Sequence, residues 1–222
     1  MSNTSDQASE FAIHGQGTTQ PPVQLILASA SPRRHKLLRQ LDINYRVVVS
    51  DADESGLEGE SPADYVCRVA RNKAEAVASR DQSGLAVLGA DTAVIIDGKI
   101  LGKPASTQEA AEMLRTLSGR VHEVYSAVVL IDAQRQLSSR LNVTRVHFAA
   151  LDEDWIAAYV ATGEPMDKAG AYGVQGCAAH RIREINGSYS GVMGLPLYET
   201  MELLHAAGFS LPPCHEPAGA SE

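Results

Sequence analysis

The sequence predicts an α/β fold in which a twisted mixed sheet, flanked by helices, forms two lobes around a cleft. Three observations carry this reading. Short aliphatic or β-branched runs at 25–27, 45–49, 85–88 and 124–131 alternate with stretches whose apolar residues recur at the helical period. Proline and polar caps open those stretches, as at Ser61-Pro62, and glycines such as Gly119 and Gly163 close them. Finally, 222 residues with 44% hydrophobic and 21% charged content suffice for a full core in one large domain or two lobes.

The elements follow in order. Residues 25–27 form a buried strand running into Ser29-Ala30-Ser31-Pro32-Arg33-Arg34, where Ser31 is a good N-cap and Pro32 a good first residue for a helix continuing through Leu41. A strand over 45–49 leads into the acidic loop 51–56. Ser61 then caps a helix with an inner stripe of Val66, Val69, Ala70, Ala74 and Val77, on which Lys73 also falls. Residues 85–88 and 93–96 read as two short strands interrupted by Gly89-Ala90-Asp91-Thr92, and the second turns through Asp97-Gly98 into 99–101. A helix over 107–117, strands over 124–131 and 142–148, and a helix from Asp152 to Gly163 come next. The polar, glycine-rich loop 164–176 is long enough to read as a binding loop. A strand near 181–185 and a helix over 196–207 complete the expected domain, 23–211. Residues 1–22 and 212–222 lack any sustained apolar period, which predicts disordered ends.

Composition excludes several classes of function. A net charge of -8 argues against a nucleic-acid-coating protein, because that affinity rests on a basic surface. No window approaches the ~20 apolar residues of a membrane span, and the leading segment lacks the basic start and apolar block of a secretory signal. A cytoplasmic protein with no membrane partner is expected. Cys67, Cys177 and Cys214 make neither a metal-type nor a redox-type pair.

The chemistry concentrates in a few places. Arg33 and Arg34 fall in the first turn of a helix, where the dipole disfavours cations, so they are either two solvated arginines on a surface helix or the grip on an anion such as phosphate, to which Ser29 and Ser31 add donors. Asp91 lies between apolar runs, where a carboxylate must be paired, solvated or metal-bound, or else must hold the Gly89 bend as a turn residue. Glu54 is either a member of a solvated acidic loop or a second hard oxygen ligand, with Asp91, for Mg²⁺ or Mn²⁺. Lys73 either snorkels to water or projects into a cleft toward phosphate, and Lys103 is aimed by Gly102 and Pro104 or stays solvated. The 164–176 loop offers Asp167, Lys168 and Gln175, whose amide suits the edge of a base, although turn formation explains its glycines equally well. The phosphate loop, the zinc-helix motif, the dinucleotide fingerprint and the nucleophile elbow are all missing. What survives is equipment for metal-assisted attack on a polyphosphate.

These motifs resemble the Maf family, nucleotide pyrophosphatases also called septum-formation inhibitors. The likeness covers about 25–207 and joins, in order, Ser29-Ala30-Ser31-Pro32-Arg33-Arg34, Asp53-Glu54, Ala70-Arg71-Asn72-Lys73-Ala74, Gly89-Ala90-Asp91-Thr92, Gly102-Lys103-Pro104, Leu117-Ser118-Gly119, Asp167-Lys168-Ala169-Gly170-Ala171-Tyr172 and Gly194-Leu195-Pro196-Leu197. It implies a Maf and ITPase-like fold around a nucleotide-binding cleft. It also implies cleavage of a nucleoside triphosphate between the α and β phosphorus atoms, with a divalent cation present. By the same resemblance Asp91 matches the proton acceptor, and Arg33, Thr92 and Gln175 match positions that distinguish substrates. A homodimer is expected. Ala90-Asp91-Thr92 with the 167–175 loop looks like the branch acting on dTTP and UTP; the 7-methyl-GTP branch typically carries Ser-Asp-Gln at the first site. Two stretches depart from the pattern: Tyr125-Ser126-Ala127 replaces a Thr-Gly pair, and His180-Arg181 replaces a small residue and Phe. The rival readings are a pyrophosphatase for 7-methyl-GTP or another modified nucleotide, and a nucleotide-binding regulator of division without turnover. Both classes need the cationic site, but only the enzyme needs a placed carboxylate and a metal.

Overall fold

A computed structural model describes residues 23–210; the ends expected to be disordered, 1–22 and 212–222, lie outside them. The strands are β1 (Leu25–Leu27), β2 (Tyr45–Val47), β3 (Ala86–Ile96), β4 (Lys99–Leu101), β5 (Val121–Ile131), β6 (Leu137–Phe148) and β7 (Ile182–Asn186). They form one seven-stranded sheet in the order β2-β1-β3-β5-β6-β7, with β4 paired to β3. Strand β1 runs parallel to β2 and β3, and every other pairing is antiparallel, so the expected mixed sheet is present. The helices are α1 (Pro32–Leu38), α2 (Pro62–Ala78), α3 (Thr107–Leu117), α4 (Glu153–Ala161), α5 (Tyr189–Met193) and α6 (Leu197–Ala206). None among the described residues is long and apolar enough to cross a membrane.

The main correction concerns β3. It is not broken at Gly89-Ala90-Asp91-Thr92 but runs as one 11-residue strand, paired to β5 from Val87 to Ile95. What breaks is its other flank. There β1 pairs with 86–88 and β4 with 94–96, leaving Asp91 and Thr92 in a stretch with no strand beside it. Beyond its carboxyl end, β1 gives way to the 28–31 turn, and a gap opens at this change of neighbour, the kind of place where α/β sheets bind ligands.

Alternation along β3 then sorts the core. Val87, Ala93 and Ile95 pack with Ile26, Val129 and the α2 stripe on one face. On the other face, Leu88 and Ala90 join β1, α1 and α6 in one cluster, and Val94 and Ile96 join α3, α4 and Phe148 in another. Two cores on one sheet face are the physical content of the two lobes. Thr92 lies between them, opposite Ser126, which in turn lies opposite Asn142.

Gly89 has a packing reason rather than a turning one. A Cβ at this position would lie 2.4 Å from the Ala70 carbonyl oxygen and 2.9 Å from the Ala74 nitrogen, so the missing side chain lets α2 sit directly on β3. Other boundaries moved for local reasons. Helix α1 ends at Leu38 and continues only as a 3-10 turn over Arg39–Leu41, and Ser31 makes no side-chain cap bond. Strand β6 begins at Leu137, well before the expected 142, because its polar, exposed start pairs only with β5 and so shows no buried alternation. The loop 164–176 is organised as 3-10 turns, and α5 was not foreseen at all.

Candidate active site

The gap beside β3 opens into a cleft of about 730 Å³, and every residue singled out above as a candidate borders it. At its wall, the side chain of Lys73 reaches from α2 to the Asp91 carboxylate on β3, Nζ donating to Oδ1 at 2.8 Å. The same ammonium lies 2.9 Å from Glu54 Oε1. Lys73 therefore does not snorkel to water; it is buried and gathers two carboxylates that are 37 residues apart in the chain. The side chains of Lys73 and Asp91 are only 10% and 9% exposed, whereas that of Glu54 is 51% exposed, so one carboxylate belongs to the wall and the other to the rim. Breaking a buried pair of this kind strands a charge, which gives both partners strong reason to stay.

Glu54 is held by the backbone of its segment. Tyr65 Oη donates to the Glu54 carbonyl at 3.0 Å, and Arg68 donates to the Ser55 carbonyl at 2.9 Å while pairing with Glu60. Burial, followed by the Asp91 and Glu54 charges, raises the Tyr65 hydroxyl above its ordinary pKa and keeps it a donor. Tyr65 was missed in the sequence, although it lies two four-residue steps before Lys73 on the same helix.

The cationic rim is more committed to protein partners than its sequence indicates. Arg34 Nε donates to the Gly194 carbonyl at 2.8 Å and Nη1 to Ser29 Oγ at 3.3 Å, which ties α1 to the end of α5. Burial pulls the Arg34 guanidinium below its ordinary pKa, against the opposing pull of Asp91 and Glu54. Ser29 is buried and also accepts from the Ser31 N–H at 3.2 Å. Arg33 pairs across the cleft with Asp167 at 3.3 Å, and Asp167 pairs in turn with Lys168 at 2.7 Å. Burial alone would raise the Asp167 carboxyl, but Lys168, aided by Arg33, brings it below its ordinary value. Lys103 and Gln175 are exposed at the cleft and make no side-chain hydrogen bond or ion pair among the described residues.

Thr92 faces away from Asp91, since successive strand residues alternate, and both reach the cleft only because the flank of β3 is open. Its hydroxyl shares a 3.0 Å hydrogen bond with Ser126, which is fully buried. The departure at Tyr125-Ser126-Ala127 thus bears directly on Thr92. His180-Arg181, the other departure, lies at the surface, where Arg181 packs over the Trp155 ring and pairs with Asp152.

Comparison with known proteins adds the family. A protein named dTTP/UTP pyrophosphatase from Methylobacillus flagellatus is 50% identical over 190 residues, covering 85% of this chain and 95% of its own. One of the same name from Shigella sonnei is 51% identical over 180 residues, covering 81% and 91%. Among solved structures, the Staphylococcus aureus Ham1 protein aligns at 12% identity with a TM-score of 0.46 over 82% of this chain and 96% of its own, a likeness too slight to carry an argument. The family described as Maf-like protein matches residues 24–207, nearly the whole described chain, and the protein belongs to the Maf family.

Proposed function

We propose that this protein hydrolyses dTTP and UTP to the monophosphate and pyrophosphate. The observation that carries the proposal is the pairing of Asp91 and Glu54 through Lys73 at the wall of a cleft rimmed by Arg33, Arg34, Lys103 and Lys168. The relatives named for this activity, and their coverage of most of the chain, support it. In the reaction a water oxygen attacks the α-phosphorus, the bond from that phosphorus to the α–β bridging oxygen breaks, and pyrophosphate departs with the bond's electrons. Asp91 accepts the water proton. Arg33 and Lys103 neutralise the triphosphate and the charge that develops on the leaving group.

The hard carboxylates of Asp91 and Glu54, gathered at one cleft, would hold a divalent ion such as Mg²⁺ or Mn²⁺. Such an ion supplies Lewis-acid polarisation of phosphate and a more acidic water. Lys73 keeps the two carboxylates together, and Tyr65 and Arg68 keep the Glu54 segment in reach. The proposal extends to a homodimer, which the family resemblance implies and sedimentation of the purified chain checks, and to a cytoplasmic location.

Base choice rests on Gln175. Its amide offers a donor and an acceptor, which meet a carbonyl and the ring N–H of the thymine and uracil imide edge together, whereas cytosine, with a ring acceptor and an amino donor, is met only with the amide turned over. A site that holds this amide in the imide-matching orientation leaves its groups unpaired against cytosine, so the pyrophosphate released from dTTP and UTP should exceed that from dCTP by ~10²-fold in kcat/KM. A pyrophosphate-release assay over a panel of triphosphates with Mg²⁺ or Mn²⁺ tests this, and a preference for 7-methyl-GTP would overturn the base assignment. Arg33→Ala should weaken triphosphate binding by about 1.5–3 kcal/mol, the range for hydrogen bonds to charged groups. Its pair with Asp167 is exposed, so the thermal midpoint should hardly move. Unchanged affinity by calorimetry reduces Arg33 to a surface residue.

A further inference from the structure

The 164–177 segment is closed on one acid that no catalytic step uses. Glu164 accepts a hydrogen bond from the Tyr159 hydroxyl at 2.9 Å through Oε1 and one from the Cys177 N–H at 3.1 Å through Oε2. The Tyr159 oxygen also accepts from the Gly173 N–H at 3.2 Å. Tyr159 is buried, and burial raises its hydroxyl far above the ordinary pKa, so it stays protonated and able to donate. A Cβ on Gly176 would lie 1.8 Å from Glu164 Oε1 and 2.3 Å from Cδ, so the carboxylate occupies the space that this glycine leaves. The two anchored amides, of Gly173 and Cys177, stand two residues to either side of Gln175, which is exposed at the cleft.

We infer that Glu164 is a positioning residue for base selection: its carboxylate buckles the 164–177 turn and fixes the backbone from which Gln175 meets the substrate. This rests on the reading of Gln175 as the base-reading amide. An amide carried on a slack loop samples many places and cannot enforce one hydrogen-bonding pattern, whereas one carried on a backbone held from both sides samples few. Glycine at 176 is then required by the buckle and not by the turn itself, because its φ of -99° is open to any residue.

The test compares Glu164→Ala, Gly176→Ala and the double variant in the full-length chain. Each single change should lower the dTTP over dCTP preference in kcat/KM by about tenfold or more, since small misplacements of a positioning group cost that much. Inhibition by tripolyphosphate, which has no base, should stay within about threefold of wild type, a split that a loss of overall fold would not produce. The double variant should fall no further than Glu164→Ala, because the methyl then enters vacated space and the two changes are not independent. Amide exchange by NMR on the substrate-free chain should show Gly173 and Cys177 exchanging faster in Glu164→Ala. An unchanged preference in a folded Glu164→Ala protein overturns the inference, as does a parallel loss of tripolyphosphate affinity or full additivity of the two substitutions. A wild-type enzyme with no dTTP preference overturns the substrate reading and the base-selecting role together; faster Gly173 and Cys177 amides in that case locate the buckle in folding alone.

Discussion

Replacing Asp91 by asparagine should lower kcat by ~10²-fold or more while leaving a folded protein, the scale of losing a general base. Asparagine keeps an oxygen that can accept from Lys73, so the 2.8 Å contact from Nζ has a neutral substitute and the buried ammonium still has Glu54 beside it. The expected stability cost is about 1–3 kcal/mol, which circular dichroism melting reads, whereas the ~10²-fold rate loss is about 2.7 kcal/mol of barrier and is read by kinetics on the folded variant. Single-turnover pyrophosphate release with the variant saturated in Mg²⁺ or Mn²⁺ is the decisive measurement. A folded variant that turns over at nearly the wild-type rate would remove Asp91 from the chemistry.

The second large effect is expected from Gly89→Ala, one added methyl group. That methyl would meet Ala70 and Ala74 backbone atoms at 2.4 and 2.9 Å, and neither helix nor strand can yield without losing its own hydrogen bonds. Overpacking at a rigid contact costs about 3 kcal/mol, which for a chain of this size lowers the thermal midpoint by roughly 6–12 °C. Activity should fall as well, because Lys73 lies between Ala70 and Ala74 and any outward movement of α2 lengthens its reach to Asp91. If Gly89→Ala melts within about 2 °C of wild type, the close approach of α2 to β3 is not what the glycine is for.

Much of this was legible in the chain. Period and capping place α2, α3 and α4 nearly as observed, and Arg33, Asp91 and Lys103, which stand out in the chain by residue chemistry, border one cleft. Most of what the chain does not show depends on partners distant in sequence. Gly89-Ala90-Asp91-Thr92 looks like a break because glycine and a charged residue are poor strand formers, yet α2 covers that face and β5 pairs through it. Lys73 leaves open whether a stripe lysine snorkels or pairs, since its partners lie on β3 and in the 48–60 segment. Ser126 and Glu164 carry no local signal at all; their roles come from Thr92 across the sheet and from Cys177 at the far end of a turn. Helix α5 is a single turn with glycine inside it, too short for a period to register.

The two lobes share a spine. Strands β3 and β5 remain paired from Val87 to Ile95, past Thr92 and on into the second core, and β6 follows β5 along its whole length. Rotating one lobe against the other would tear that ladder, so the usual hinge by which clefts shut over a ligand is denied to this architecture. Any adaptation to a ligand falls instead to the exposed 48–60 segment, tied to α2 by Tyr65 and Arg68, while 164–176 is anchored in both cores through Tyr172 and Val174. The Asp91 carboxylate therefore stands on a strand already in place, while that of Glu54 stands on the part with room to adapt. The sheet itself thus sets which of the two carboxylates beside Lys73 is fixed and which can move.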